Sequence, residues 1–197
     1  MDNGQAMMAH RIQRTPYHLS PREFRSKVMT SILMSFVNLC RLRAAPQELP
    51  YSAWLMGAAL FCYFLIGLGI ALAEQAFGPA LLTSCVDVGL LVGLARLALW
   101  ITNHGARTVQ TVTALAGTGT LFELMAWPLI AALQAVAEGT PSTLSFLLLV
   151  LIVWNIVVIG HILRHALDIT LWIASGIALL YVYTSMRVMS ALYIAGT

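Results

Sequence analysis

Five stretches of the chain stay apolar for about twenty residues each, and short polar interruptions separate them. They cover about 51–73, 80–101, 110–136, 143–163 and 169–193. At 1.5 Å of rise per residue, each is long enough to cross a hydrocarbon core about 30 Å thick. None shows the strict alternation of a β-strand, so a transmembrane barrel is not indicated. The pattern predicts an all-α polytopic membrane helical bundle with five transmembrane helices in residues 51–193.

The chain before the spans has two parts. Residues 1–19 are polar, basic and without periodicity, and are expected to be disordered. "SPREFRSKVMTSILMSFVNLCRLR" (20–43) has helical spacing, with Phe24, Val28, Ile32, Phe36 and Cys40 recurring every four residues. Ser20 suits an N-cap, Pro21 the first helical position and Glu23 the capping box. Arginines and Lys27 crowd both ends, the composition of an amphipathic helix lying in the headgroup region. Met29 offers an alternative start that would leave the first 28 residues dispensable. Pro46 and Pro50 in "RAAPQELPYS" end this helix before the first span. Within the third span Pro128 predicts a kink, and "AEGTPS" (137–142) reads as a turn.

Composition agrees with a membrane location. The 197 residues are 59% hydrophobic and only 10% charged, against about a quarter charged in soluble domains. The mean hydropathy is +0.83. The three cysteines, Cys40, Cys62 and Cys85, lack CxxC or Cys/His spacing, so neither a disulfide framework nor a zinc site is implied. No apolar segment resembling a cleavable signal precedes the spans.

Charge sets the expected orientation. Seven of the eleven Lys and Arg residues lie in residues 1–43. Arg96 and Arg107 flank the second-to-third connection, and Arg164 marks the fourth-to-fifth. The other two loops, 74–79 and 137–142, carry no Lys or Arg. The positive-inside rule then places the N-terminus and the basic loops in the cytoplasm and the C-terminus in the periplasm of a bacterial inner membrane. The basic pI, near 9.0, is explained without nucleic acid.

Ionisable groups at membrane depth are costly and tend to pair or to face a cavity. Asp87 in the second span and Arg187 in the fifth fall at similar depth and are expected to form an ion pair. Glu123 and Asn155 fall near the middle of the third and fourth spans. A direct interhelical hydrogen bond between them, worth about 0.6 kcal/mol, is the structural expectation; a proton-carrying Glu123 is the transport reading. Gly89 and Gly93 form a GxxxG that permits close helix packing, within the chain or in a homo-oligomer.

His161, Arg164, His165 and Asp168 have i, i+3, i+4, i+7 spacing, and two histidines with a carboxylate suggest a metal ligand set. Arg164 inside the set opposes a cation, and Ile162 replaces the glutamate of an HExxH motif. A turn near 164–168 would also break the shared face. The expectation is an interface cluster with His104 and Arg107, with no metal, no cofactor and no catalytic residue. No GxSxG is present, and "GTGT" (117–120) lacks the lysine of a phosphate loop.

The five-span arrangement, with "LCRLRAAPQELPYS" before the first span and "GHILRHAL" after the fourth, resembles the Yip family and small uncharacterised proteobacterial membrane proteins grouped with it. The resemblance covers roughly residues 38–195. It implies a non-enzymatic membrane protein; eukaryotic members interact with Rab GTPases in membrane trafficking. Their tyrosine- and glycine-containing cytosolic motif is not evident here, so no functional residue is carried over. The expected role is that of a structural, accessory or partner-binding protein acting through its basic N-terminal helix. A small proton-coupled transporter is the alternative, and a metal-dependent membrane enzyme using His161 and His165 is a third reading.

Overall fold

The structure, a computed structural model, describes residues 21–135 and 143–196. The expected disordered segment 1–19, the Ser20 cap and the turn at 137–142 lie outside the described residues. The chain divides into two units, Met1–Met34 and Ser35–Thr197. Helix α1 (Pro21–Cys40) begins in the first and ends in the second. The second unit also holds α2 (Ala53–Leu72), α3 (Phe77–Ile101), α4 (Thr108–Gln134), α5 (Thr143–Leu167) and α6 (Leu171–Gly196).

Among the described residues, these last five helices are long and apolar enough to cross a membrane. Even the shortest, α2, has 20 residues, about 30 Å of helix. The chain is an all-α helical bundle and a multi-pass membrane protein. Many of its large apolar side chains point away from the protein, which a bilayer tolerates and water does not. Four exposed aromatics, Tyr51, Trp54, Trp100 and Trp172, are 69%, 81%, 75% and 88% exposed. All stand where helices begin or end on the side of the bundle that carries Arg107 and Arg164. Amphipathic rings at that level form an interfacial belt. This side is termed the basic end.

Around the bundle α2 packs on α3, α3 on α6, α6 on α5, α5 on α4 and α4 back on α2, while α3 and α4 also touch across the ring. The most buried element is α4, the threonine-rich span. Its polar residues reach the interior because each hydroxyl has a partner one turn back. Thr113 donates to the Val109 carbonyl at 2.6 Å, Thr118 to Ala114 at 2.8 Å and Thr120 to Ala116 at 2.8 Å. Threonine on α4 is therefore a small, satisfied core residue. The helix runs continuously through Pro128.

Glycines set the closest approaches, but not those expected. Nothing lies within 4 Å of a Cβ built at Gly89 or Gly93, and both residues are exposed. The close packing falls on α4. A Cβ at Gly119 would stand 2.8 Å from the Tyr63 ring, and one at Gly117 would run into the ring of Phe36.

Three turns close their helices in the same way, those after α3 and α5 at the basic end and the one after α1. Leu42, Asn103 and Asp168 have positive φ, 59°, 59° and 53°. The following amides reach back to Asn38, Leu99 and Arg164 at 2.9, 2.8 and 3.3 Å. These are the bonds of the Schellman helix stop. The turn after α5 therefore comes at Asp168, the last residue of the expected 164–168, and His161, Arg164 and His165 all remain on the helix.

The last turn of α1 differs from a helix lying in the headgroups. Phe36 and Leu39 are buried, and Trp154 Nε1 donates to the Cys40 carbonyl at 3.0 Å. Trp154 stands 13 residues before the end of α5 at Leu167, about 20 Å along the axis. Cys40 is thus level with the middle of a spanning helix. From there the chain climbs along α5 to the basic end.

Candidate functional site

Two polar regions matter. The first is at the basic end, where the segment between α1 and α2 is clamped onto α4 and α5. His161 Nε2 meets the Ala44 carbonyl at 3.0 Å. Gln47 donates to the His165 carbonyl at 2.5 Å, and Gln110 donates to the carbonyls of Gln47 and Leu49 at 3.1 and 2.7 Å. Glu48 folds back to accept from the Ala45 amide at 2.8 Å. Segment 44–49 makes one short 3-10 turn, Pro46–Glu48, in which the Glu48 and Leu49 amides reach Ala45 and Pro46, and these side chains satisfy other groups of its backbone.

Asp168 lies on the other side of the same turn. It accepts from Arg107 at 2.7 Å and stands 3.3 Å from His104 Nε2. Arg107 also donates to the carbonyls of His165 and Ala166, both at 3.2 Å. It occupies the negative end of the α5 dipole and supplies donors to carbonyls the helix leaves open. His161 and His165 touch edge to face, with ring centroids 4.6 Å apart. Arg164 is exposed and in no ion pair among the described residues. The four residues thus do not act as one face: His161 is turned to the Ala44 carbonyl, and Asp168 to Arg107 and His104. Among the described residues no group of three His, Cys, Asp or Glu side chains is placed to hold a metal ion.

The second region is inside the bundle. Asp87 on α3 accepts from the Tyr63 hydroxyl of α2 at 2.5 Å. Tyr63 is 8% exposed and packs with Leu91, Ala95, Val112 and Ala116, and Tyr181 of α6 lies against the same cluster. The expected Asp87–Arg187 pair does not form. Arg187 is exposed on α6 and makes no ion pair among the described residues. The two residues share a depth but not a direction, since Asp87 faces α2 inside the ring.

Glu123 and Asn155 are not hydrogen-bonded to each other. They line one cavity of about 170 Å³, with Tyr63, Tyr181, Gly119 and Phe122 among its walls. Oε2 of Glu123 is buried and has no hydrogen-bond partner among the described residues. A cavity of this size holds several waters or one small solute. The carboxyl lies against α2 at Gly67, where a Cβ would stand 3.5 Å from Oε1, an ordinary contact.

The residues that sequence reasoning missed are Tyr63 and Tyr181. Each hydroxyl is a polar group within an apolar run, and that was the available signal. The role of segment 44–49 was likewise missed, although its two prolines and two long polar side chains marked it as more than a linker. Comparison with protein families, with curated proteins and with solved structures found no match.

Proposed function

We propose that the chain is a non-enzymatic protein of the bacterial inner membrane that couples proton movement to the passage of a small polar solute through the Glu123–Asn155 cavity. The observation that carries this reading is the buried Glu123 oxygen that no group among the described residues satisfies, beside a cavity that Glu123 lines with Asn155. In hydrocarbon such a group needs a proton, a water or a ligand. The basic end is placed in the cytoplasm with the N-terminus, and the C-terminus in the periplasm. The test is proton flux in proteoliposomes loaded with a pH-sensitive dye. Glu123→Gln should abolish flux while the protein stays folded. Equal flux in the variant, or none in the unmodified protein, overturns the reading. A C-terminal reporter active only in the cytoplasm would overturn the orientation.

A second reading is an accessory or partner-binding protein, favoured by the clamp at the basic end. It brings together "LCRLRAAPQELPYS" and "GHILRHAL", the two segments that carry the resemblance to the Yip family, as one polar platform. The exposed Gly89 and Gly93 of α3 leave a face for a second copy. Pull-down in mild detergent, repeated with Gln47→Ala, tests it: a reproducible partner lost in the variant supports it, and an empty pull-down overturns it.

A further inference from the structure

The interior cavity carries acid and no base. Glu123 lines it, and among the described residues no Lys, Arg or His does. Asp87 is bonded to Tyr63, whose side chain forms part of the wall. Neither carboxyl makes an ion pair among the described residues. Arg96 of α3 and Arg187 of α6 are exposed, and Arg41 lines a groove to which Glu123 does not contribute. The polar side chain that α5 brings to the cavity is Asn155, and the one from α6 is Tyr181. Counted along their helices, Tyr63, Glu123, Asn155 and Tyr181 stand about 15 to 23 Å from the basic end, around the middle of a bilayer core. A carboxyl there is neutralised by a proton or by a cation.

The rest of the wall is aromatic and apolar. Tyr63, Phe122 and Tyr181 supply three rings. A sugar would need more hydrogen-bond partners than one carboxyl, one amide and two phenols, one of them engaged with Asp87. An anion would meet only like charge. A cation sheathed in carbon meets a carboxylate and aromatic rings, the groups that recognise an ammonium. The volume of about 170 Å³ is close to that of a cavity that accepts benzene, so the solute has about six non-hydrogen atoms.

We propose that the solute of this cavity is a small organic cation of the ammonium class, held by the Glu123 carboxylate among the Tyr63, Phe122 and Tyr181 rings and exchanged there for a proton. This rests on the proton-coupled reading of the cavity and names its solute. When the cation enters, the carboxyl proton leaves to water; when the cation leaves, a proton returns. Glu123 is neutralised in both states, so the exchange is one for one and moves no net charge.

The test measures binding of radiolabelled tetramethylammonium to the full chain in mild detergent. This probe fits the volume and has no acidic proton, so any proton released comes from the protein. Saturable binding of one cation per chain is expected, with a proton released to a weakly buffered solution. Where proton and cation compete, affinity should fall about tenfold for each unit of falling pH. Glu123→Gln should abolish binding, and Tyr181→Leu should weaken it about fivefold. tert-Butanol and pivalate, neutral and anionic molecules of similar shape, should not compete. Competition by either at the affinity of the probe would overturn the proposal, and equal competition by potassium would assign the carboxylate to an inorganic cation and overturn it too. These comparisons use the unmodified protein and stand even where a variant does not fold. Binding that is insensitive to pH, or that Glu123→Gln leaves intact, also overturns it. Proton flux that depends on Glu123, with no binding of tetramethylammonium, overturns the ammonium solute and leaves the proton-coupled reading standing. Binding at Glu123 in a protein that passes no protons supports the cation site and overturns the coupling.

Discussion

Arg107 holds the turn after α5 through a single nitrogen: Nη1 lies 2.7 Å from the Asp168 carboxylate and 3.2 Å from the carbonyls of His165 and Ala166. The carboxylate half of this arrangement is exposed, with Asp168 at 59% and Arg107 at 33%. An exposed ion pair contributes under about 1 kcal/mol. The carbonyl contacts matter more, because they fill the open end of a helix. Arg107→Ala should therefore destabilise by about 2 kcal/mol, and Asp168→Asn by less than about 1 kcal/mol. Reversible unfolding in mixed micelles with increasing dodecyl sulfate checks the order. Equal losses would mean that the ion pair dominates.

The Tyr63–Asp87 bond gives a second prediction. It joins α2 to α3 in the ring interior. Tyr63→Phe strands a buried carboxyl and should cost about 1–3 kcal/mol. Asp87→Ala alone should cost a similar amount. The double variant should cost less than the sum, because each single change leaves one partner unsatisfied. Additive losses in the same unfolding assay would show that the two groups do not interact.

What the sequence displayed and what it hid divide along one physical line. Helix ends were legible because Arg, Asp, Gln and Pro cannot be spread along hydrocarbon; the observed helices start and stop within about one turn of the expected spans. Depth was legible too, since it follows from counting residues from those ends. Rotation about each helix axis was not. Asp87 and Arg187 were matched by depth alone, and the bundle turns them apart. Glu123 and Asn155 were matched the same way, and they share a cavity without touching. A spanning helix bears apolar residues on both its lipid and protein faces, so the apolar stripe that fixes rotation in soluble helices is lost.

Glycine shows the same limit. Gly89 and Gly93 fit a packing motif and face outward, whereas Gly119, read only as part of a "GTGT" without the lysine of a phosphate loop, receives the Tyr63 ring. Gly119→Ala should overpack that contact and cost about 1–3 kcal/mol. Gly93→Ala adds a methyl where nothing lies within 4 Å and improves helix propensity, so monomer stability should rise slightly, by about 1 kcal/mol at most. If Gly93→Ala instead weakens a dimer seen by size-exclusion chromatography, that face is an interface between copies.

Cys40 gives the last prediction. The Trp154–Cys40 contact places this residue level with the centre of α5, whereas a helix resting in the headgroups would hold it at the surface. Cys62 and Cys85 can be replaced by alanine because both are exposed and so leave no core void. A nitroxide on Cys40 in the resulting protein, reconstituted in vesicles, should collide freely with oxygen, which concentrates in hydrocarbon, and scarcely with a water-soluble nickel chelate. A nitroxide introduced by Gln47→Cys, in the segment clamped at the basic end, should show the reverse. If both labels report the same shallow depth, the end of α1 lies on the surface and Arg41 stands among headgroups.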